Sequence, residues 1–457
     1  MKRKLFAQIA IALLLISVFA ALPLATAPTF VSVSVGDVEA FQLSDRFEID
    51  GAYPPGRTLT DFVGGMVAFD QDMIDVEQIA HPGNKWYGKG IRVAVLDTGM
   101  LPNWNYFFPK SRIDANLGIG FVQDLETGEI TTVPWDDAVS GHGTHVASTI
   151  IGYNLAGTPI TGVAPLAKII PVKVLSFYDY DEWAAWGTSG MVAAGIDYIT
   201  SLVEDGTLEA GKVIINMSLG ASVPMSDVEE AIDRAIAAGV IVVASAGNNG
   251  PFGMGYPGGH PQVISAAWAG WTGQWWPDMY GGFWHEDVPE NLMTPAPASV
   301  GYGSYAGTQV YMHYWSSREL VGQDLDVAAP GSWVVGPYWD PYYGDLPEDP
   351  AECYFYVGGS SMAAPHVAGT AALIAEKKGR KLTQSEVETL LETTADSAPL
   401  TYANTAGNPW GVTDPYMAIY LSLPPGLYLT SWDVDAIGAG FLQTDAAVEA
   451  VSALGPH

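Results

Sequence analysis

The chain has one cysteine, Cys353, in 457 residues, so no disulfide can form within it. Basic residues are also scarce. Nineteen Lys and Arg stand against fifty Asp and Glu, a formal net charge of −31, which excludes the basic surface that a nucleic-acid partner would need. Charged residues make up only 15% and hydrophobic ones 48%, so the chain has enough apolar material to fold and is not a disordered polyanion. Beyond one run near the start there is no long apolar stretch, no internal repeat and no low-complexity tract. A protein without disulfides must be held by its core, its packing or bound ions. The acidity fits a salty or an acidic medium equally well.

The apolar run comes first. Lys2-Arg3-Lys4 precedes Leu5 to Leu22, and Pro23-Leu24-Ala25-Thr26-Ala27 follows. A basic start, an apolar stretch and a small-x-small end read as a secretory signal peptide over residues 1–27, and this places the protein outside the cell. An uncleaved N-terminal anchor is the alternative, since the run is just long enough to span a membrane. No other segment reads as membrane-embedded. Residues 28–70 carry little pattern and are read as an N-terminal extension or a reduced pro-segment.

From Gln71 the chain alternates buried strands and helices. Ile91 to Leu96, Lys168 to Leu175, Lys212 to Ser218 and Gly239 to Ala244 are near-continuous Val/Ile runs. Helical patterns start near His142 and cover Gly190 to Leu202 and Val228 to Ala238. Strands apolar on both sides, separated by helices, predict a doubly wound α/β fold with a mainly parallel sheet. Residues 71–450 are read as one domain and 451–457 as a tail. Two aromatic-rich stretches, 268–320 and 337–350, show no period and are expected to be surface loops, either packing loops or a rim around a cleft.

Three motifs carry chemistry. Val93-Ala94-Val95-Leu96-Asp97-Thr98-Gly99 puts an acid at the carboxyl end of a buried strand, where such sheets place functional groups. Gly141-His142-Gly143-Thr144-His145 opens a helix with an imidazole. Gly358-Gly359-Ser360-Ser361-Met362 puts a serine at a helix N-terminus, where backbone N–H groups point at any anion that forms. A serine hydroxyl needs a base, the base needs a carboxylate to fix its tautomer, and the tetrahedral intermediate needs donors. Ala246-Gly247-Asn248-Asn249-Gly250 supplies an amide at a strand end for that last task.

The motifs and their order resemble the subtilisin-like serine proteases, the subtilases, over residues 71–450. The resemblance implies Asp97 as orienting acid, His142 as general base, Ser361 as nucleophile and Asn248 as side-chain oxyanion donor. It also implies that the backbone of Ser218, Leu219 and Gly220 pairs with extended substrate, and that Gly255 walls the primary specificity pocket. Asp326 to Gly331 and Gly438 to Phe441 match further family segments. Ser360 replaces the family's usual threonine. The expected activity is endopeptidase cleavage of polypeptides, with apolar or aromatic residues favoured before the cut bond. No cofactor is required for the chemistry.

The loop 152–162 lacks the family's calcium ligand pattern. Acidic loops such as Asp179, Asp181 and Glu182 leave room for structural calcium elsewhere. His142 and His145 lack a third ligand for a metal, and His145 and His366 are expected to pack helices. An inactive subtilase fold, acting as a peptide-binding or surface-layer component, is the alternative function. A serine-carboxyl peptidase, which uses glutamate as base, is disfavoured by the setting of His142.

Overall fold

The computed structural model describes residues 30–34, 39–42, 60–80, 85–271, 310–313, 315–379, 381–397 and 434–453. The expected signal peptide, and Trp275, Trp276 and Trp284, lie outside the described residues. Among the described residues no helix is long and apolar enough to cross a membrane.

The central sheet runs in the order Val310–Met312, Ile264–Trp271, Ile241–Ser245, Val213–Met217, Arg92–Asp97, Lys168–Lys173, Ile119–Gln123 and Ile130–Val133; Val327–Pro330 also pairs with Ile264–Trp271. Its centre is parallel, and the two ends, Val310–Met312 and Ile130–Val133, are antiparallel. The predicted strands are all present. Val213–Met217 and Ile241–Ser245 are buried at every residue, as strands covered on both faces must be. Helices Ser189–Glu204 and Ser226–Ala238 pack together, as do His142–Ile151 and Ser360–Lys378. This is the expected doubly wound α/β architecture.

Two expectations are corrected. Trp268 and Trp271 are not in a surface loop: they lie on the buried strand Ile264–Trp271, next in the sheet to Ile241–Ser245. The Trp268 ring stacks on buried His313 at 3.9 Å. The aromatic density of the stretch hid a strand whose alternate residues are small. The segment after the histidine helix is likewise not an open loop but a hairpin, Tyr153–Leu155 against Thr158–Ile160.

Several contacts lie outside the central pattern. Phe62, Phe69 and Asp70 are buried, although they precede Gln71. Asp70 Oδ2 meets Nε2 of His366, in the serine helix, at 3.0 Å. Strand Val334–Pro337 pairs with Tyr354–Gly358, which leads into the serine helix and pairs on its other edge with Glu39–Gln42. Phe30–Ser34 pairs with Ala184–Thr188. At the C-terminal end the Leu442 N–H donates to Ala328 O, so the closing segment stitches onto Val327–Pro330.

Buried titratable groups set the pH response of the fold. Burial pushes Asp326 up to about 8, against the Ser265 N–H and hydroxyl, which donate to its Oδ2 at 2.8 Å and favour the charged form. Burial likewise takes His145 and His313 down to about 3. Between about pH 4 and about pH 8 the unfolded chain has released the Asp326 proton while the folded chain keeps it, so this residue makes stability fall as pH rises. The two histidines act oppositely, and their contribution is lost as pH falls from about 6.5 towards 3. Asp326→Asn keeps an acceptor for Ser265 and removes the proton. Thermal unfolding between about pH 6.5 and pH 8, above the range of the two histidines, should show a Tm that declines less steeply with rising pH than in the wild type; an unchanged slope would count against the buried neutral carboxyl.

Candidate active site

Asp97 ends its strand with both carboxylate oxygens on the His142 imidazole, Oδ1 to Nδ1 at 2.9 Å and Oδ2 to Nδ1 at 3.0 Å. Both residues are buried. The Thr98 N–H donates to Asp97 Oδ1 at 2.6 Å and so fixes the carboxylate. The carboxylate in turn fixes the tautomer: Nδ1 carries the proton and Nε2 is left as the acceptor. Nε2 is buried and has no hydrogen-bond partner among the described residues.

The approach of helix to strand is set by a glycine and a threonine. A Cβ at Gly143 would sit 2.4 Å from Gly99 O and 3.1 Å from Asp97 Oδ1, so only glycine allows the histidine helix this close. Thr98 Oγ1 accepts the Gly143 N–H at 3.0 Å and donates to Ser140 O at 2.8 Å. It therefore clamps both sides of the turn that carries His142. Sequence reasoning passed over Thr98, because a threonine next to a motif acid has no signature of its own.

Ser361 sits in the first turn of Ser360–Lys378, where helix N–H groups have no intrahelical acceptor. Gly359, with φ of 155°, makes the corner that strand Tyr354–Gly358 needs to enter the helix. Pro365 lies inside this helix and has no N–H, so the carbonyl four residues earlier, that of Ser361, lacks its usual donor. Ser218 Oγ fills the place at 2.7 Å, and Ser361 Oγ donates back to Ser218 O at 3.2 Å. The parallel register Asn216↔Val95, carried two residues on, sets Ser218 level with Asp97. Ser361 on Ser218, and His142 on Asp97, are thus held at the carboxyl ends of two neighbouring strands.

Asn248 lies beyond strand Ile241–Ser245. Its Oδ1 accepts from the Ser360 N–H and from Ser360 Oγ, both at 3.0 Å, and Ser360 Oγ accepts the Gly247 N–H at 3.0 Å. With the carbonyl oxygen of the amide held, its NH2 is directed away from Ser360. This is a task for Ser360 that the sequence left unassigned.

The segments expected to wall the pocket also meet. Ala221 and Tyr256 exchange two backbone hydrogen bonds, Ala221 N to Tyr256 O at 2.9 Å and Tyr256 N to Ala221 O at 2.8 Å. A Cβ at Gly220 would lie 3.7 Å from Tyr256 O and 3.9 Å from Gly255 Cα, and one at Gly255 would lie 3.5 Å from Ala221 O. A Cβ at either glycine would thus make ordinary van der Waals contact, and Gly220 and Gly255 lie side by side. Leu219 is buried, and its carbonyl accepts from Ser245 Oγ at 3.3 Å.

For a cation, Asp326, Glu388 and Glu392 can bring one ligand oxygen each within 4.8 Å of one another. Asp179 instead uses Oδ1 to accept the N–H groups of Asp181 and Glu182, at 2.8 and 3.1 Å, as a turn does.

A family model described as the subtilase family matches residues 88–411, most of the chain. Thermitase of Thermoactinomyces vulgaris is 29% identical over 309 residues, covering 68% of this chain and 82% of that protein. Subtilisin DY of Bacillus licheniformis is 29% identical over 335 residues, covering 72% of this chain and 91% of that protein. Among solved structures, fervidolysin of Fervidobacterium pennivorans, described as a keratinolytic enzyme related to subtilisin, superposes with a TM-score of 0.54 at 24% identity. That match covers 91% of this chain but only 49% of the fervidolysin chain.

Replacing Ser218 by alanine leaves the Ser361 carbonyl buried without a donor. The expected loss is about 1–3 kcal/mol of unfolding free energy, measured by denaturant titration. A loss near zero would mean that the carbonyl finds another partner.

Proposed function

The chain belongs to the subtilase family of serine endopeptidases, and from that premise we propose that it is an exported enzyme that cleaves polypeptides through an acyl-enzyme formed on Ser361. The observation that carries the reading is the buried Asp97–His142 pair, with Nε2 left as acceptor at the strand ends where Ser361 converges.

The steps follow from the geometry. An extended substrate adds as a strand along Ser218, Leu219 and Gly220. Its backbone N–H competes for Ser218 O, the present acceptor of Ser361 Oγ. The displaced hydroxyl turns to His142 Nε2, which takes its proton as Oγ attacks the scissile carbonyl carbon. Asp97 steadies the resulting imidazolium. The Asn248 amide and the Ser361 N–H receive the developing oxyanion. The imidazolium then protonates the leaving amine. A water, deprotonated by the same nitrogen, releases the acid product and restores Ser361. These residues supply every proton transfer, so the reaction requires no cofactor.

The pocket wall that the family resemblance assigns to Gly255, which lies beside Gly220 with no Cβ on either, favours large apolar or aromatic side chains before the cut bond. Residues 1–27 act as the export signal, 28–70 as an extension or reduced pro-segment, and 71–450 as the peptidase domain with a short tail.

Two substitutions separate the adjacent serines. Ser361→Ala should abolish labelling by a serine-directed phosphonate and lower kcat by several orders of magnitude, the size of loss known for subtilisin itself. Ser360→Ala should keep the labelling but lower kcat by about tenfold, with KM little changed, and Ser360→Thr should restore most of it, because only the hold on Asn248 is lost. Labelling that survives Ser361→Ala would overturn the assignment, and an unaffected kcat in Ser360→Ala would remove the role given to Ser360.

A further inference from the structure

Beside the histidine lies a rim to which the peptide-cleaving steps give no task. The Trp339 backbone carbonyl accepts the Gly141 N–H at 2.6 Å, one residue before His142. From Trp339 the rings run outward in contact. Trp339 meets Tyr343 with centroids 5.8 Å apart, Tyr343 meets Tyr342 at 5.2 Å, and Tyr342 meets Trp183 at 4.7 Å. Trp183 belongs to the tip of the hairpin formed by Phe177–Asp179 and Ala184–Thr188, where Tyr180 packs on Tyr178 at 4.9 Å.

The order of the rings is held by a carboxylate. Asp340 is completely buried; its Oδ1 accepts the Tyr178 hydroxyl and, at 3.0 Å, the Tyr342 N–H, and its Oδ2 accepts the Tyr338 hydroxyl at 3.3 Å. It staples the hairpin to the loop after Pro337. The hairpin follows Val174 and Leu175, whose N–H groups donate to Asp97 O at 2.8 and 3.1 Å. One end of the rim is thus tied to the acid strand and the other to the histidine turn.

Its outer rings are open to solvent: Tyr180 is 63% exposed, Tyr342 53% and Trp183 38%. A contiguous set of large exposed rings marks a contact surface. Exposed carboxylates follow them closely in the chain, Asp181 and Glu182 on the hairpin and Asp345, Glu348, Asp349 and Glu352 on the loop. No Lys or Arg occurs between Lys173 and Lys212, or between Arg318 and Lys377. Ring faces flanked by carboxylates attract cationic side chains by cation–π contact and by charge. Strand Phe30–Ser34 already pairs with the hairpin edge, so what the rim offers is its side chains.

We infer that this aromatic and acidic rim is an extended subsite that binds lysine or arginine side chains of the polypeptide substrate, at positions other than the one directly before the cut bond. The inference rests on the peptidase reading and names a substrate class for it. The general acidity of the protein draws cations to its whole surface; the stapled rings give them a fixed place on a rim that ends at the histidine turn.

The test uses peptides of one sequence in which a single Lys, Ala or Glu is scanned through the positions on both sides of a fixed apolar cleavage site. For the wild-type protein, kcat/KM with Lys should exceed that with Ala by about three- to tenfold at one flanking position or more, chiefly through KM, and Glu should fall below Ala. Part of the Lys preference should persist at about 1 M salt, where the Debye length is about 3 Å. Trp183→Ala with Tyr342→Ala should bring that residual Lys-to-Ala ratio close to one. Asp345→Asn with Glu348→Gln should lower the part seen only at low salt. A ratio of one in the wild type, or a ratio unaffected by the ring substitutions, overturns the rim while leaving peptide cleavage intact. Cleavage of none of the peptides, or cleavage unchanged in Ser361→Ala, overturns the peptidase reading itself.

Discussion

Pro365 has no N–H to give, and the carbonyl that its absence leaves unclaimed is that of Ser361. A helix of nineteen residues would otherwise close on itself and owe nothing to the sheet at this point. Instead Ser218, just past strand Val213–Met217, supplies the missing donor and receives the Ser361 hydroxyl in return. The exchange sets the height of the helix against the sheet. It fixes the serine relative to Asp97 through the register of two adjoining strands. The amide held by Ser360 hangs from the same turn. Remove the proline, and the geometry of both serines is no longer dictated by the sheet.

The sequence was most readable where a local pattern and a tertiary fact coincide. A strand buried on both faces must be apolar throughout, so Val213–Met217 and Ile241–Ser245 declare themselves. The acid, the histidine and the serine each sit within a glycine-bearing motif, because backbone must approach backbone closely there, as at Gly143. The hidden parts depend on partners far away in the chain. Strand Ile264–Trp271 reads Ile-Ser-Ala-Ala-Trp-Ala-Gly-Trp, whose small residues make room for its neighbours and whose tryptophans look like loop aromatics until His313 is brought against one of them. The hold of Ser360 on Asn248 joins residues 112 positions apart, and the clamp made by Thr98 spans 45. Side-chain hydrogen bonds of this range leave no period and no spacing to read.

The scarcity of basic residues also has consequences inside the protein. With few cations to pair with, buried carboxyls must be held by neutral donors or stay protonated. Asp340 has two tyrosine hydroxyls and a backbone N–H as donors, and Asp326 has Ser265 and keeps a proton. Asp97 has the Thr98 N–H and an imidazole. In each case the neighbour of the carboxyl is a donor with a fixed direction rather than a flexible ammonium group. The cost of desolvating a carboxylate is thereby turned into orientation. Such carboxyls position what they bind more closely than surface ion pairs such as Arg234–Asp197, which lies in the open and contributes little to stability.

The same logic divides the aromatic residues. Those in the core, such as Trp268, Phe107 and Phe355, fill volume, and a chain without disulfides depends on them for close packing. Those from Tyr338 to Tyr343 begin buried and end exposed, because the loop climbs from the histidine turn to the surface. A loop with no task beyond cover would turn its rings inward, where each ring adds to the hydrophobic stabilisation. Here buried Asp340 accepts the Tyr342 backbone N–H, and the Tyr342 ring lies exposed against Trp183. Stability alone does not ask for that arrangement. The cationic substrate side chains inferred for this rim would.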